Sequence, residues 1–237
     1  MFLGGCATGL FLTDPASAGL RPTKDVDTIT EVGSYAEYAR LSERLRQLGL
    51  TEDATEGAPL CRWRIGALVI DVMPTADDVL GFANRWYIPA IAAAQSMQLA
   101  ELEIRVITPI YFLATKLEAF RARGHGDVSG SHDLEDVVTV IDGRPEIIEE
   151  VSAAPEDVRE YIATAFQQLM ADRAFANALP GSCYLTPRPS CGCQSLLGGS
   201  RRWHPTAPEK VLWSLDAHSH NVHRFLMARL PGILWIE

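Results

Sequence analysis

The sequence of 237 residues has no apolar run that approaches the ~18 to 20 residues needed to span a bilayer. Its opening stretch, MFLGGCATGLFL, lacks the basic segment with which a secretory signal peptide begins. Cysteine is scarce: five cysteines at irregular spacing argue against a disulfide framework and match no zinc pattern. We therefore expect a cytoplasmic protein that works in a reducing compartment and contacts no membrane.

Positive charge is also scarce through most of the chain. The formal net charge is −9, and residues 1–180 carry 15 Lys and Arg against 27 Asp and Glu. A protein that binds duplex nucleic acid regardless of its sequence needs many basic contacts to phosphate. This acidic balance excludes an extended duplex as a partner, whereas a small local contact to nucleic acid remains compatible with it.

Short apolar segments occupy the first half of the chain and predict strands. The stretch FLGGCATGLFL indicates a strand end, a glycine turn and the start of an apolar helix. RPTKDVDTI predicts a strand, CRWRIGALVIDVMP a hairpin or a pair of strands, and LAELEIRVI further short strands. Between them, Ser34 and Glu37 form a capping box for a helix that Gly49 ends.

The second half of the chain predicts helices. PIYFLATKLEAFRAR begins at Pro109 and ends at Gly124, SHDLEDVVTVIDG begins after Ser131, and another helix runs from Pro155 toward Phe175. This order predicts an α+β fold, with a small mixed β-sheet flanked by helices and then a helical C-terminal half.

Three units follow from this pattern: a core over residues 1–107, a helical domain over 108–180, and an irregular tail over 181–237. The tail holds three of the five cysteines, three of the five tryptophans and four of the six histidines. Because this composition comes without helical or strand periodicity, we expect a frameshifted or disordered tail and not a further domain.

Aspartates interrupt two of the predicted strands. Asp25 and Asp27 share one strand face, because side chains alternate along an extended chain, and two carboxylates held that close need cations or solvent. Asp71 is likewise an aspartate at the centre of an otherwise apolar predicted strand, LVIDVMP. If these strands lie at the surface, the aspartates simply face water and have no further role. On neighbouring core strands, three carboxylates can bind two Mg²⁺ ions, which stabilise the oxygens of a phosphoryl or nucleotidyl transfer.

Lys116 lies in PIYFLATKLEAF with apolar residues at i−4, i−3 and i+4, so its stem is expected to be buried. A buried ammonium group needs an anion, either a nucleotide phosphate or Asp133; the alternative is a lysine that reaches solvent. Asp133 and Asp136 lie three residues apart on one helix face. Asp133 can equally be an ordinary first-turn charge.

Together these features resemble the nucleotidyltransferase superfamily, with a glycine pair that opens a helix, Asp-x-Asp on the next strand and a third aspartate on a later one. More narrowly, the order GGCATGLFL, RPTKDVDTI, LVIDVMP, FLATKLEAFRARG and SHDLEDVVTVIDGR resembles the AbiEii/AbiGii-type nucleotidyltransferases, many of which are toxins of toxin–antitoxin pairs. The resemblance runs from Gly4 to about Arg144, and more weakly to about Pro180.

The resemblance implies transfer of a nucleotidyl group from an NTP to an acceptor hydroxyl of an RNA or tRNA end, a protein or a small molecule. It also implies a cognate antitoxin as a partner. The implied metal ligands are Asp25, Asp27 and Asp71, with Asp71 also the general base. The implied catalytic residues further include Lys116, which neutralises phosphate charge, and Asp133. The implied nucleotide contacts are Gly4, Gly5, Thr23 and Lys116.

The start of the chain departs from the family pattern, which has a helix and most of a strand before the glycine pair. We therefore expect an N-terminally shortened sheet. Such a sheet could keep the fold and lose turnover. The alternative function is accordingly a non-catalytic nucleotide-binding or interaction module.

Overall fold

The computed structural model describes residues 1–17, 20–123, 128 and 130–175. The predicted tail and the predicted helix end at Gly124 lie outside these residues. The strands are β1 (Phe2–Leu3), β2 (Asp25–Thr30), β3 (Thr51–Glu52), β4 (Arg62–Ile65), β5 (Leu68–Pro74), β6 (Gln95–Leu99) and β7 (Leu102–Val106). The α-helices are α1 (Tyr35–Gln47), α2 (Asp77–Leu80), α3 (Tyr87–Ala92), α4 (Pro109–Arg123), α5 (His132–Gly143), α6 (Ile147–Ala153) and α7 (Glu156–Ala171).

The strands form one mixed sheet in the order β3-β4-β5-β2-β1-β7-β6. The β2–β5 and β1–β7 pairs are parallel, and the remaining neighbours are antiparallel. Within the described residues, four α-helices (α4 to α7) follow β7. The expected α+β class, a mixed sheet flanked by helices and followed by a helical half, is confirmed. The division into units at residue 107 stays a prediction.

Helix α1 begins and ends where the sequence indicates. The Ser34 hydroxyl accepts a hydrogen bond from the backbone N–H of Glu37 at 3.3 Å, and the Glu37 carboxylate accepts one from the N–H of Gly33 at 2.8 Å. Gly49 adopts a φ of +86°, the left-handed conformation that ends helices. The glycine pair opens a 3₁₀ helix (Gly5–Phe11), so the helix that the sequence indicates here takes the tighter 3₁₀ form.

The two faces of the sheet are covered differently. On one face α1 packs over Trp63, whose ring lies 5.9 Å from the Arg46 guanidinium. The opposite face belongs to the main core, which includes Ile29 of β2 and Phe112 of α4 and extends through α5 and α7. Because Asp25, Asp27 and Ile29 alternate along β2, the aspartates lie on the core face at the end of the sheet away from Ile29.

The described helices include none that is both long enough and apolar enough to cross a bilayer.

Candidate functional site

The β2–β5 pairing brings the three predicted carboxylates together on one sheet face. Asp27 lies directly opposite Asp71 in the parallel ladder, and Asp25 precedes Asp27 by two residues on the same side. The Asp71 residue is 7% exposed, whereas Asp25 is partly open to solvent. Three negative charges therefore converge on one end of the sheet.

Arg62 faces two of these carboxylates from β4, where the hairpin register places it opposite Asp71. Its Nε and Nη2 donate to the two oxygens of Asp71 at 2.8 and 2.7 Å, and Nη2 also donates to Asp25 at 2.9 Å. The hydrogen bonds from Arg62 to Asp71 raise the pKa of the guanidinium. The Thr23 hydroxyl donates to the other oxygen of Asp25 at 3.2 Å.

Asp27 has no such partner: its carboxylate accepts no hydrogen bond from any residue that the structure describes. The pKa of Asp27 is raised to about 6, mainly by burial and also by the charges of Asp25 and Asp71, against the lowering effect of Lys116 and Arg123. These two cations therefore do not offset the cost of burying the charged carboxylate. Asp27 is therefore the point of the site with the greatest unmet demand for a cation.

The glycine pair lies against this carboxylate. Gly4 has a φ of +72°, and a Cβ atom built on it would overlap the side chain of Asp27. A Cβ on Gly5 would lie 3.1 Å from Nη2 of Arg21 and 3.4 Å from Oδ2 of Asp136. The turn thus separates the aspartates of the sheet from the charges on α5, and only glycine fits at its first position.

Lys116 of α4 is bound by two carboxylates of α5. Its Nζ lies 3.2 Å from Oδ1 of Asp133 and 2.7 Å from Oδ2 of Asp136, and its side chain is 12% exposed. Burial lowers the pKa of Lys116, but the ion pairs with Asp136 and Asp133 outweigh burial and raise it. The sequence predicts either a nucleotide phosphate or Asp133 as the partner of Lys116. Asp133 does contact Lys116, and Asp136 makes a shorter contact.

Two arginines extend this cluster of charges. Nη2 of Arg21 lies 3.4 Å from Asp136, and Nη1 of Arg123 lies 2.5 Å from Asp133. Both carboxylates of α5 therefore face two cations each. Lys116 forms its ion pairs with Asp133 and Asp136, and its charge acts on Asp27 only from a greater distance.

No protein-family model matches the chain, and no curated protein sequence matches it. A solved structure similar to it is the crystal structure of an antigenic nucleotidyltransferase-like protein from Paracoccidioides brasiliensis. The TM-score is 0.43 and the identity 19%, over 76% of this chain and 83% of that one. Similarity at this level does not establish a shared fold. The function proposed below therefore rests on the side chains of the site.

Mg²⁺ is the metal that the resemblance implies for this site. Carboxylate oxygens are the ligands that Mg²⁺ prefers, and Asp27 and Asp25 fit it, since Asp27 is unpartnered within the described chain. Among the described residues, however, no three His, Cys, Asp or Glu side chains are arranged to hold a metal ion together. Arg62 accounts for this, because it occupies both oxygens of Asp71.

Sequence reasoning missed Arg62, although the hairpin contained the signal. With a two-residue turn at Gly66 and Ala67, Ile65 pairs with Leu68, and counting outward places Arg62 opposite Asp71. Extending the predicted hairpin by three pairs would have found the contact. The contact between Arg21 and Asp136 spans 115 residues of sequence and had no comparable local signal.

Proposed function

We propose that this protein is a Mg²⁺-dependent nucleotidyltransferase that moves a nucleotidyl group from an NTP to an acceptor hydroxyl. The observation that carries the proposal is the convergence of Asp25, Asp27 and Asp71 on one sheet face against the Gly4 turn. When bound, Mg²⁺ would neutralise phosphate charge and stabilise the attacking and leaving oxygens. Asp27 and Asp25 are the side chains that would hold it.

Lys116 has the position and the donors to contact a triphosphate. An ammonium group has three N–H donors, and Asp133 and Asp136 engage two of them. We assign the third to a phosphate oxygen, while the two carboxylates fix the direction of the side chain. Such preorganised charge stabilises a transition state without reorganisation during the reaction. In this scheme Asp133 is a positioning residue for Lys116, and Thr23 orients Asp25.

The general-base role that the resemblance implies for Asp71 has a structural requirement. Both oxygens of Asp71 accept hydrogen bonds from Arg62. The role therefore requires the acceptor hydroxyl to approach a lone pair of Asp71 that Arg62 does not use.

The motif order of the sequence supports a role like that of the AbiEii/AbiGii-type enzymes. In that case the protein is the toxin of a toxin–antitoxin pair, the acceptor is a tRNA end or a protein, and a cognate antitoxin restrains the activity. The acidic charge of the chain favours an acceptor that enters locally, such as one nucleotide end, over a long duplex.

The test is incubation with NTPs labelled at the α-phosphate or at the γ-phosphate, in the presence of tRNA and protein acceptors. Transfer of the α label, with none from the γ position, is expected. Asp27→Asn should lower transfer by roughly 10²-fold or more. Asp53→Asn is the matched control and should leave transfer unchanged, since the Asp53 carboxylate pairs with Arg64 and not with Arg62.

Binding of Mg-NTP without transfer to any acceptor would instead support the non-catalytic alternative. Transfer that Asp27→Asn leaves unchanged would contradict the proposed site.

A further inference from the structure

The Arg62 guanidinium is positioned as a fixed cation inside the aspartate cluster. Its planar fork matches the Asp71 carboxylate with two hydrogen bonds, at 2.8 and 2.7 Å, and the same group reaches Asp25 at 2.9 Å. The side chains of Arg62 and Asp71 are only 24% and 10% exposed. Water therefore competes weakly for these contacts, and the guanidinium neutralises the side of the cluster that faces β4.

On the other side of the cluster, no cation of the described residues hydrogen-bonds the Asp27 carboxylate. The Asp27 carboxylate accepts no hydrogen bond within the described part of the chain, and it faces Asp25 and Asp71. Lys116, the ammonium group whose charge acts on Asp27, is itself held by Asp133 and Asp136. Arg62 thus neutralises the part of the cluster at Asp71, whereas the part at Asp27 is open to an external cation.

We propose that Arg62 supplies the second positive charge of this site, so that the aspartates take one divalent cation, at Asp27 and Asp25, instead of two. This inference rests on the proposed function, which requires a divalent cation at these residues. Arg62 and Asp71 are then positioning residues. Asp71 holds the guanidinium, and the guanidinium holds Asp25 beside Asp27. The two-ion arrangement that the sequence predicts is the competing outcome.

The experiment is a titration of the metal-free full-length protein with MnCl₂, followed by electron paramagnetic resonance of free Mn²⁺. The variants are wild type, Arg62→Gln, Arg62→Lys and Arg64→Gln. Arg64 is a matched control because it lies two residues along β4 and pairs with a different carboxylate, Asp53, at 2.8 Å. We expect one Mn²⁺ per chain for wild type, Arg62→Lys and Arg64→Gln, and two for Arg62→Gln, since only that last change removes the internal cation from Asp71.

Two Mn²⁺ ions on the wild type, or one on a folded Arg62→Gln, would overturn the inference. If Arg62→Gln does not fold, the count on the wild type decides: one ion supports the inference and two overturn it. Transfer of the α label by a wild type that binds two ions would overturn this inference and leave the proposed function intact. Failure of every folded variant to bind Mn²⁺ would overturn both.

Discussion

Asp27 keeps its proton to a higher pH in the folded chain than in the unfolded chain, because folding buries it beside two other carboxylates. Between the ordinary pKa of an aspartate and about 6, the folded state therefore binds more protons, and its stability falls as the pH rises. At neutral pH the cost of burying this charge acts in full. The proposed function thus assigns to a cation a carboxylate whose charged form folding disfavours.

Asp27→Asn should consequently be more stable than wild type at pH 7 without divalent ions, by on the order of 2 kcal/mol. The difference should shrink as the pH falls through about 6 and vanish only below the ordinary pKa of an aspartate, where the wild-type carboxyl group is protonated in both states. Urea unfolding in EDTA at several pH values measures it. Asp53→Asn is a control for which the stability change should have the opposite sign. Hydrogen bonds from Thr55 lower the pKa of Asp53, so removing this carboxylate should lower the stability at pH 7 and lower it less in acid.

If Asp27→Asn is instead less stable than wild type at pH 7, the carboxylate has a stabilising partner, and it is not the cation-deficient point of the site.

Lys116 presents the reverse case, a buried cation between two buried carboxylates. Lys116→Met would leave Asp133 and Asp136, 5% and 3% exposed, without their shared partner. We expect a loss of about 3–5 kcal/mol in the free energy of unfolding, the usual result of removing one member of a buried ion pair. Chemical denaturation measures this loss.

Lys24→Met is the matched control: this exposed lysine should tolerate the change within about 0.5 kcal/mol. Combining Lys116→Met with Asp136→Asn should recover part of the loss. Equal stability of Lys116→Met and Lys24→Met would show that the α4–α5 charges do not hold the helices together.

At the scale of elements, the turn from β1 into the 3₁₀ helix is the most constrained connection near the site. Gly4→Ala combines a φ of +72° with a Cβ that overlaps Asp27, and we expect it to cost at least about 3 kcal/mol. Gly49→Ala, after α1, has a φ of +86° but open space around the Cβ, and should cost about 1 kcal/mol. Thermal unfolding of both variants gives the comparison.

A similar cost for the two glycine variants would mean that the backbone of Gly4 moves away from Asp27 easily. The close approach of the turn to the site would then be unimportant.

The elements that sequence reasoning found are those with strong local signals. Helix α5 begins after Ser131, whose hydroxyl accepts from the N–H of Leu134 at 3.3 Å, as the capping pattern predicts. Helices α2, α3 and α6 and strand β3 were missed. Each is short, and α3 contains Pro89 and has no side-chain cap. It forms because Trp86 and Tyr87 are buried in the core, 6% and 8% exposed, a condition that no local pattern expresses.

At the scale of the whole molecule, one core joins the sheet to the helical half. It runs from Leu3 of β1 through Phe112 and Ile141 to Phe175. Arg144 adds a polar connection, since its guanidinium donates to the carbonyl of Phe11 at 3.0 Å. The glycine turn, the aspartate strands and α4–α5 are therefore held in one packed unit, which fixes the geometry of the candidate site.

Because the core of the described residues already joins the chain from Leu3 to Phe175, we expect a chain that ends at residue 180 to unfold cooperatively, with a melting temperature within about 3 °C of the full chain. It should also be at least as soluble, since the removed segment carries three tryptophans without a periodic pattern to bury them. Calorimetry and size-exclusion chromatography test both expectations. Loss of the cooperative transition would show that residues 181–237 belong to the fold.

The sequence by itself determined the local features: the face shared by Asp25 and Asp27, the capped helix α1, the hairpin and the order of strands before helices. These depend on side-chain periodicity and on hydrogen bonds between residues close in sequence. Only the tertiary structure decided where charges meet. Arg62 lies 37 residues from Asp25, and Arg21 lies 115 residues from Asp136. Such ion pairs arise from strand order and helix packing, which bring together residues whose separation in the chain carries no periodic signal.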